Sequence, residues 1–193
     1  MIAQIKGKLI DKTPTYVVIE CCGVGYEIKI SLNTFSQIGE GENCLLYTHF
    51  VVREDAQLLY GFKEVGEREL FRLLISVSGV GSSTAIMILS SLSPVETKQA
   101  ILNSDVNTLK SVKGIGAKSA ERIIIDLRDK IAKVDSGTSI SLPSSNTVKD
   151  EALSALVMLG FGKSPAEKAL NKIQKSGDDF TVEELIKRAL KSL

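Results

Sequence analysis

Along the first third of the chain, apolar and polar positions alternate with a period of two. Val24, Tyr26, Ile28 and Ile30 interleave with Gly25, Glu27 and Lys29, and the runs Tyr16 to Ile19 and Leu45 to Val52 are rich in β-branched and aromatic residues. Turn chemistry interrupts the pattern at Asp11 to Pro14, at Cys22-Gly23 and at Gly39-Glu40-Gly41. About five short strands are predicted, fitting a small closed barrel of the OB type, with a flat sheet as the alternative.

From Gly66 the period becomes helical. Ser93-Pro94-Val95-Glu96 combines an N-cap, a proline at the first helical position and a capping-box glutamate, so a helix is predicted from Pro94. Ser104-Asp105 opens another, and Ala117 to Ala132 a longer one that buries Ile123, Ile124 and Leu127. The stretch DSGTSISLPSSN has too few apolar residues to order itself by burial and reads as a flexible linker. Beyond it lie helical patterns at Val148 to Leu159, after the capping signature Ser164-Pro165-Ala166-Glu167, and after Thr181-Val182-Glu183-Glu184. The expected fold is multi-domain, β then α: a barrel over residues 1–63, a helical domain over 64–133, a linker over 134–147 and a three-helix bundle over 148–193.

One pattern occurs twice in the helical segment, 35 residues apart: Val77-Ser78-Gly79-Val80-Gly81-Ser82-Ser83-Thr84-Ala85 and Val112-Lys113-Gly114-Ile115-Gly116-Ala117-Lys118-Ser119-Ala120. This is the helix–hairpin–helix motif. The two glycines are expected to reverse the chain at positive φ and to let backbone approach a phosphate closely, while Val80 or Ile115 pins the turn. The following helix offers unpaired N–H groups and the positive end of its dipole, which bind an anion without reading base identity. Ala85 and Ala120 allow close helix packing, and Lys118 and Arg122 are placed to add phosphate contacts. A tandem pair suits non-specific duplex binding across the minor groove.

Charge bears this out only locally. The net charge is +1, but residues 65–133 hold ten Lys/Arg against seven Asp/Glu, the only basic segment. So small a surplus suits phosphate binding by backbone amides. Cys21, Cys22 and Cys44 lack zinc-ligand spacing and are read as small strand hydrophobes; the single histidine, His49, argues against histidine catalysis. No cofactor or metal is expected. With neither a leader pattern nor a membrane-length apolar run, the expectation is a cytoplasmic protein.

The run Val51-Val52-Arg53-Glu54-Asp55-Ala56-Gln57-Leu58-Leu59-Tyr60-Gly61-Phe62 ahead of the tandem hairpins resembles the RuvA family. The likeness extends over the whole chain, from Met1-Ile2-Ala3-Gln4-Ile5-Lys6-Gly7 through both hairpins and the linker to Leu159-Gly160-Phe161. By chemistry alone, Arg53-Glu54-Asp55 is a solvated hairpin tip. The resemblance implies instead that Glu54 and Asp55 form an acidic pin, four copies of which meet where the arms of a four-way (Holliday) junction converge, with Arg53 touching nearby phosphate. It implies a non-catalytic homotetramer, or an octamer, that binds junction DNA in recombination and repair. It also implies recruitment of the hexameric RuvB ATPase through a ubiquitin-associated-type tail, and a joint complex with the RuvC resolvase.

The first hairpin departs from the family form, in which Pro-Lys commonly stands where this chain has Ser82-Ser83. Backbone amides and these hydroxyls are then left to hold phosphate. In the tail, Leu159 and Phe161 flank a helix-ending glycine and form either an exposed apolar patch for the partner or part of the core. The competing class is a glycosylase or nuclease that uses such hairpins for grip. It would need a catalytic Lys/Asp arrangement, a two-metal carboxylate set or an iron–sulfur cysteine cluster, none of which the sequence offers; no P-loop is present either. An adaptor whose tail binds ubiquitin-like proteins is a third reading, disfavoured by the hairpins.

Overall fold

The structure, a computed structural model, describes residues 1–39, 41, 43–135, 146–174 and 180–193. The chain divides into two compact units, Met1–Gly137 and Thr138–Leu193. The first unit opens with strands β1 (Gln4–Lys12), β2 (Tyr16–Cys21) and β3 (Val24–Ile30), a short helix α1 (Leu32–Gln37), and strands β4 (Asn43–Val52) and β5 (Gln57–Phe62). They close into the expected barrel in the order β1-β2-β3-β5-β4, with every pairing antiparallel except β3 with β5. The period-two pattern fills its interior, where Ile5, Val17, Ile19, Ile28, Ile30, Leu46 and Leu59 are buried.

Two positions differ from the sequence reading. Val24, at the mouth of the β2–β3 hairpin, is exposed. Cys22 is not a strand hydrophobe: it sits exposed in that hairpin's turn at φ 52°, followed by Gly23 at φ 84°. Two successive positive φ values make the turn that matches strand twist.

Helix α1, which no periodicity announced, is capped by Ser31 and joins the barrel to the next element. The hydroxyls of Ser31 and Thr34 donate to the two carboxylate oxygens of Glu67, which is almost wholly buried. Satisfying both oxygens is what makes an interior carboxylate tolerable.

The helical part comprises α2 (Val65–Ile75), α3 (Ser82–Ser91), α4 (Pro94–Leu102), α5 (Val106–Lys110) and α6 (Ala117–Asp135). Its core reaches back into the barrel sheet: Tyr60 and Phe62 of β5 pack on Phe71 with ring centroids 5.1 and 5.0 Å apart. Strand β5 therefore serves two cores, giving Leu59 to the barrel and Tyr60 and Phe62 to the helices. Ile123, Ile124 and Leu127 are buried on α6 as expected, and the Ser93–Glu96 capping box forms.

Helix α4 ends in a Schellman motif. Asp105 N–H reaches Ala100 O at 2.8 Å and Ser104 N–H reaches Ile101 O at 3.2 Å, which forces Ser104 to φ 57°. A serine there bears the Cβ strain that glycine avoids, so Ser104→Gly is expected to stabilise the chain by about 0.5–1 kcal/mol, read as a rise in denaturation midpoint.

His49 lies half-buried in β4, edge-on to Phe71 at 5.5 Å, with Arg72 Nε donating to its Nδ1 at 3.4 Å. Burial first, then the Arg72 and Arg68 guanidiniums, lower its pKa below the ordinary 6.5. The unfolded chain thus binds more protons at this site, and the stabilisation, complete above the ordinary value, is lost as pH falls through it towards the folded value. Thermal melts between about pH 7.5 and pH 5.5 are expected to fall less steeply for His49→Gln than for the native chain.

The second unit packs α7 (Asn146–Met158), α8 (Lys163–Gln174) and α9 (Val182–Leu190) around Ala152, Leu156, Ala166, Leu170, Leu185 and Ala189. Thr181 and Glu184 form the predicted capping box. Helix α8 begins at Lys163, which puts Ser164 inside the first turn instead of at the cap. Of the linker predicted over 134–147, residues 136–145 lie outside the described residues, and its two ends belong to α6 and α7.

Candidate nucleic-acid interface

The two hairpins share one backbone design. Val80 N–H donates to Val77 O at 3.0 Å and Ile115 N–H to Val112 O at 3.1 Å, and Gly79 and Gly114 occupy the third turn position at φ 89° and 90°. That φ is the mark of a type II turn and requires glycine. Val80 and Ile115 are buried beneath their turns, and Ala85 and Ala120 are buried where the helices meet.

Only the first glycine of each pair uses positive φ, contrary to the expectation for both. Gly81 caps α3 at φ −83°, and Gly116 is likewise outside the left-handed region. A Cβ at either would meet nothing within 4 Å. Neither is therefore held as glycine by a positive φ or by a close neighbour within the chain. Beyond them, the first intrahelical bonds run from Ala85 N–H to Gly81 O and from Ala120 N–H to Gly116 O, at 2.9 and 3.0 Å. The amides of 82–84 and 117–119 precede those bonds and have no acceptor within their helices. Gly79, Gly81, Ser83, Gly114, Gly116, Ala117 and Lys118 are exposed around the two openings, with Ser119 half-buried.

Exposed Arg122, on α6, donates to Ser78 O in the first hairpin at 3.3 Å, so the two hairpins adjoin. The 35-residue offset also exposes an asymmetry. The second copy carries Lys110, Lys113, Lys118 and Arg122 where the first has Ile75, Ser78, Ser83 and Met87, and residues 73–95 hold no charged side chain at all. Lys110 and Lys113, both exposed, were missed by motif reading, although the offset itself identifies them.

Arg53 to Ala56 form the β4–β5 turn, closed by Arg53 N–H to Ala56 O at 2.8 Å. Glu54 and Asp55 are exposed at its tip, and among the described residues neither is paired with a cation. Arg53 bends back from the tip, its guanidinium donating to Ser82 Oγ at 3.2 Å. Ser82, expected to offer its hydroxyl to phosphate, is buried, and its Oγ also receives the Tyr60 hydroxyl at 2.9 Å. Among the described residues no group of His, Cys, Asp or Glu is gathered as a metal site.

In the tail, Gly160 at φ 97° ends α7 in a second Schellman turn, in which Phe161 N–H bonds Leu156 O at 3.1 Å. The two candidate patch residues part company: Phe161 packs against the tail core, whereas Leu159 is exposed beside Val157 and Met158.

Comparison with known proteins matches three family models along the chain: RuvA N terminal domain over residues 1–61, SAM-like helix-hairpin-helix tandem over 71–129, and RuvA C-terminal domain over 147–193. Among curated relatives, a protein of Christiangramia forsetii is 57% identical over 193 residues, covering all of both chains. Proteins of Flavobacterium psychrophilum (50% over 193 residues) and Bacteroides fragilis (49% over 201) are likewise matched over their whole lengths. All three bear the name Holliday junction branch migration complex subunit RuvA. With barrel, paired hairpins and three-helix tail each matched in order, and identity sustained from end to end, the chain belongs to the RuvA family.

Proposed function

We propose that this protein binds four-way junction DNA without regard to sequence, holds it open as a homotetramer, and delivers it to the RuvB ATPase for branch migration in recombination and repair. The observation that carries the reading is the adjacency of two hairpins of matching geometry, each presenting free helix-start amides beside a glycine that leaves its approach open. Such a surface suits two phosphate chains flanking one groove. Glu54 and Asp55, exposed and without cation partners among the described residues, are the acids of the pin, repelling phosphates where strands cross.

Gly79, Gly81, Ser82, Ser83, Gly114, Gly116, Ala117, Lys118, Ser119 and Arg122, with Arg53, form the DNA-binding set in this reading, and Lys110 and Lys113 extend it. The functional parts follow the division 1–63, 64–133, 134–147 and 148–193, which the three family-model spans support. The tail meets RuvB through Leu159 and its exposed neighbours, with Phe161 supporting that surface from within. RuvC joins the complex on the junction. The protein is a cytoplasmic, non-catalytic subunit, and ATP hydrolysis belongs to its partner.

The test is a gel shift with a synthetic four-way junction in magnesium, paired with light scattering. A shifted, uncleaved complex containing four or eight chains is the expected result. Cleavage or base release would favour an enzyme, and a monomeric complex would remove the pin from the crossover.

A further inference from the structure

The first hairpin lacks any cation of its own across residues 73–95, yet it is matched in backbone geometry to a copy that carries four. Two arginines from elsewhere reach it: Arg122 from α6 at Ser78 O, and Arg53 from the β4–β5 turn at Ser82 Oγ. The second link has a hidden support. Ser82 Oγ has two lone pairs and receives two donors, the Arg53 guanidinium from the surface and the Tyr60 phenol from the core. Tyr60 is itself immobilised, almost wholly buried on β5 and stacked at a tilt on Phe71. One hydroxyl oxygen thus links a buried, packed phenol to the Arg53 guanidinium.

We propose that Tyr60 is a positioning residue which, acting through Ser82 Oγ, holds Arg53 beside the first hairpin, so that a charge-free hairpin borrows its phosphate-binding cation from the barrel. The arrangement depends on serine at position 82, since a residue without a side-chain acceptor there leaves Arg53 unanchored. It also ties the acidic tip to the first hairpin, because Arg53 adjoins Glu54 and Asp55 in the same turn.

This inference rests on the DNA-binding reading above, and its test is a double-mutant cycle on the full chain. Tyr60→Phe keeps the ring packing and removes only the hydroxyl; Arg53→Gln removes the charge. Duplex affinity is measured as a function of salt for the native chain, both single variants and the double variant. Arg53→Gln is expected to flatten the slope of log affinity against log salt by about 0.9, one phosphate contact. Tyr60→Phe alone is expected to weaken binding about three- to tenfold, the range of one net hydrogen bond, and to flatten the slope in the same direction. In the Arg53→Gln background it should cost nothing more. A purely structural Tyr60 would instead lose the same affinity in both backgrounds and leave the salt slope unchanged, which overturns the proposal. Native chain that fails to bind duplex or junction overturns the DNA-binding reading itself, and the inference with it.

Discussion

Alanine at both Gly81 and Gly116 is expected to leave the melting temperature within about 2 °C of the native value while weakening duplex and junction binding about a hundredfold. The first half follows from the free chain: neither glycine needs positive φ, and the added methyl meets nothing within 4 Å. The second follows from the ligand. A phosphate hydrogen-bonded to the amides of residues 82–84 or 117–119 has to come within about 3 Å of backbone beside these positions, and a methyl group there holds it off. Charge-assisted hydrogen bonds are worth about 1.5–3 kcal/mol, so about tenfold per hairpin is a low figure. The other pair of glycines supplies the contrast. Alanine at Gly79 or Gly114 meets no neighbour either, but at φ 89° and 90° it strains the turn itself by about 1–2 kcal/mol. Those variants are expected to melt lower, whereas the Gly81 and Gly116 variants fold normally and bind poorly. A double variant at 81 and 116 that binds at native strength would refute phosphate capture by these helix starts.

Glu54→Gln combined with Asp55→Asn is expected to strengthen plain duplex binding about tenfold at low salt and to reduce the preference for four-way junctions over duplex. Each carboxylate lies exposed at the turn tip, and like charges 4 Å apart in water repel by about 1 kcal/mol. Removing two such charges about 6 Å from phosphate, at about 0.7 kcal/mol each, yields the stated gain. Screening sets an internal control, since the advantage should fade as the Debye length shrinks from about 10 Å at 0.1 M salt towards 3 Å at 1 M. The fold should be indifferent, because neither side chain has a cation partner among the described residues. Titrations of duplex and junction at two salt concentrations check this, and weaker duplex binding by the variant would rule out a repulsive pin.

What the sequence made legible was local. Alternating Val17 and Ile19, or Ile28 and Ile30, announced strands because the pleat puts every second side chain inside. The Ser93–Glu96 and Thr181–Glu184 boxes marked helix starts because both bonds of the box span only three residues. The hairpins were visible because their turns need glycine at a fixed offset. Contacts between residues far apart were not legible. Ser31 and Glu67 are 36 positions apart, Arg53 and Ser82 are 29, and neither pair leaves a periodic trace. The Ser82 hydroxyl was accordingly expected to face phosphate, when Tyr60 and Arg53 already use its oxygen from within the fold. Leu159 and Phe161 could not be told apart for a related reason. The Schellman turn at Gly160 decides which of two neighbouring apolar residues returns to the core, and that is a matter of backbone direction, not composition.

The parallel pairing of β3 with β5 bears on how the molecule is made. Until Gln57 to Phe62 has been synthesised, β3 and β4 are the two bare rims of an unfinished sheet, because β5 is the strand that joins them. A nascent chain at that stage offers unsatisfied peptide groups to any neighbouring nascent chain, which favours strand exchange between growing copies. The same six residues carry Tyr60 and Phe62 into the helical core, so the strand that seals the first structure is also a wall of the second.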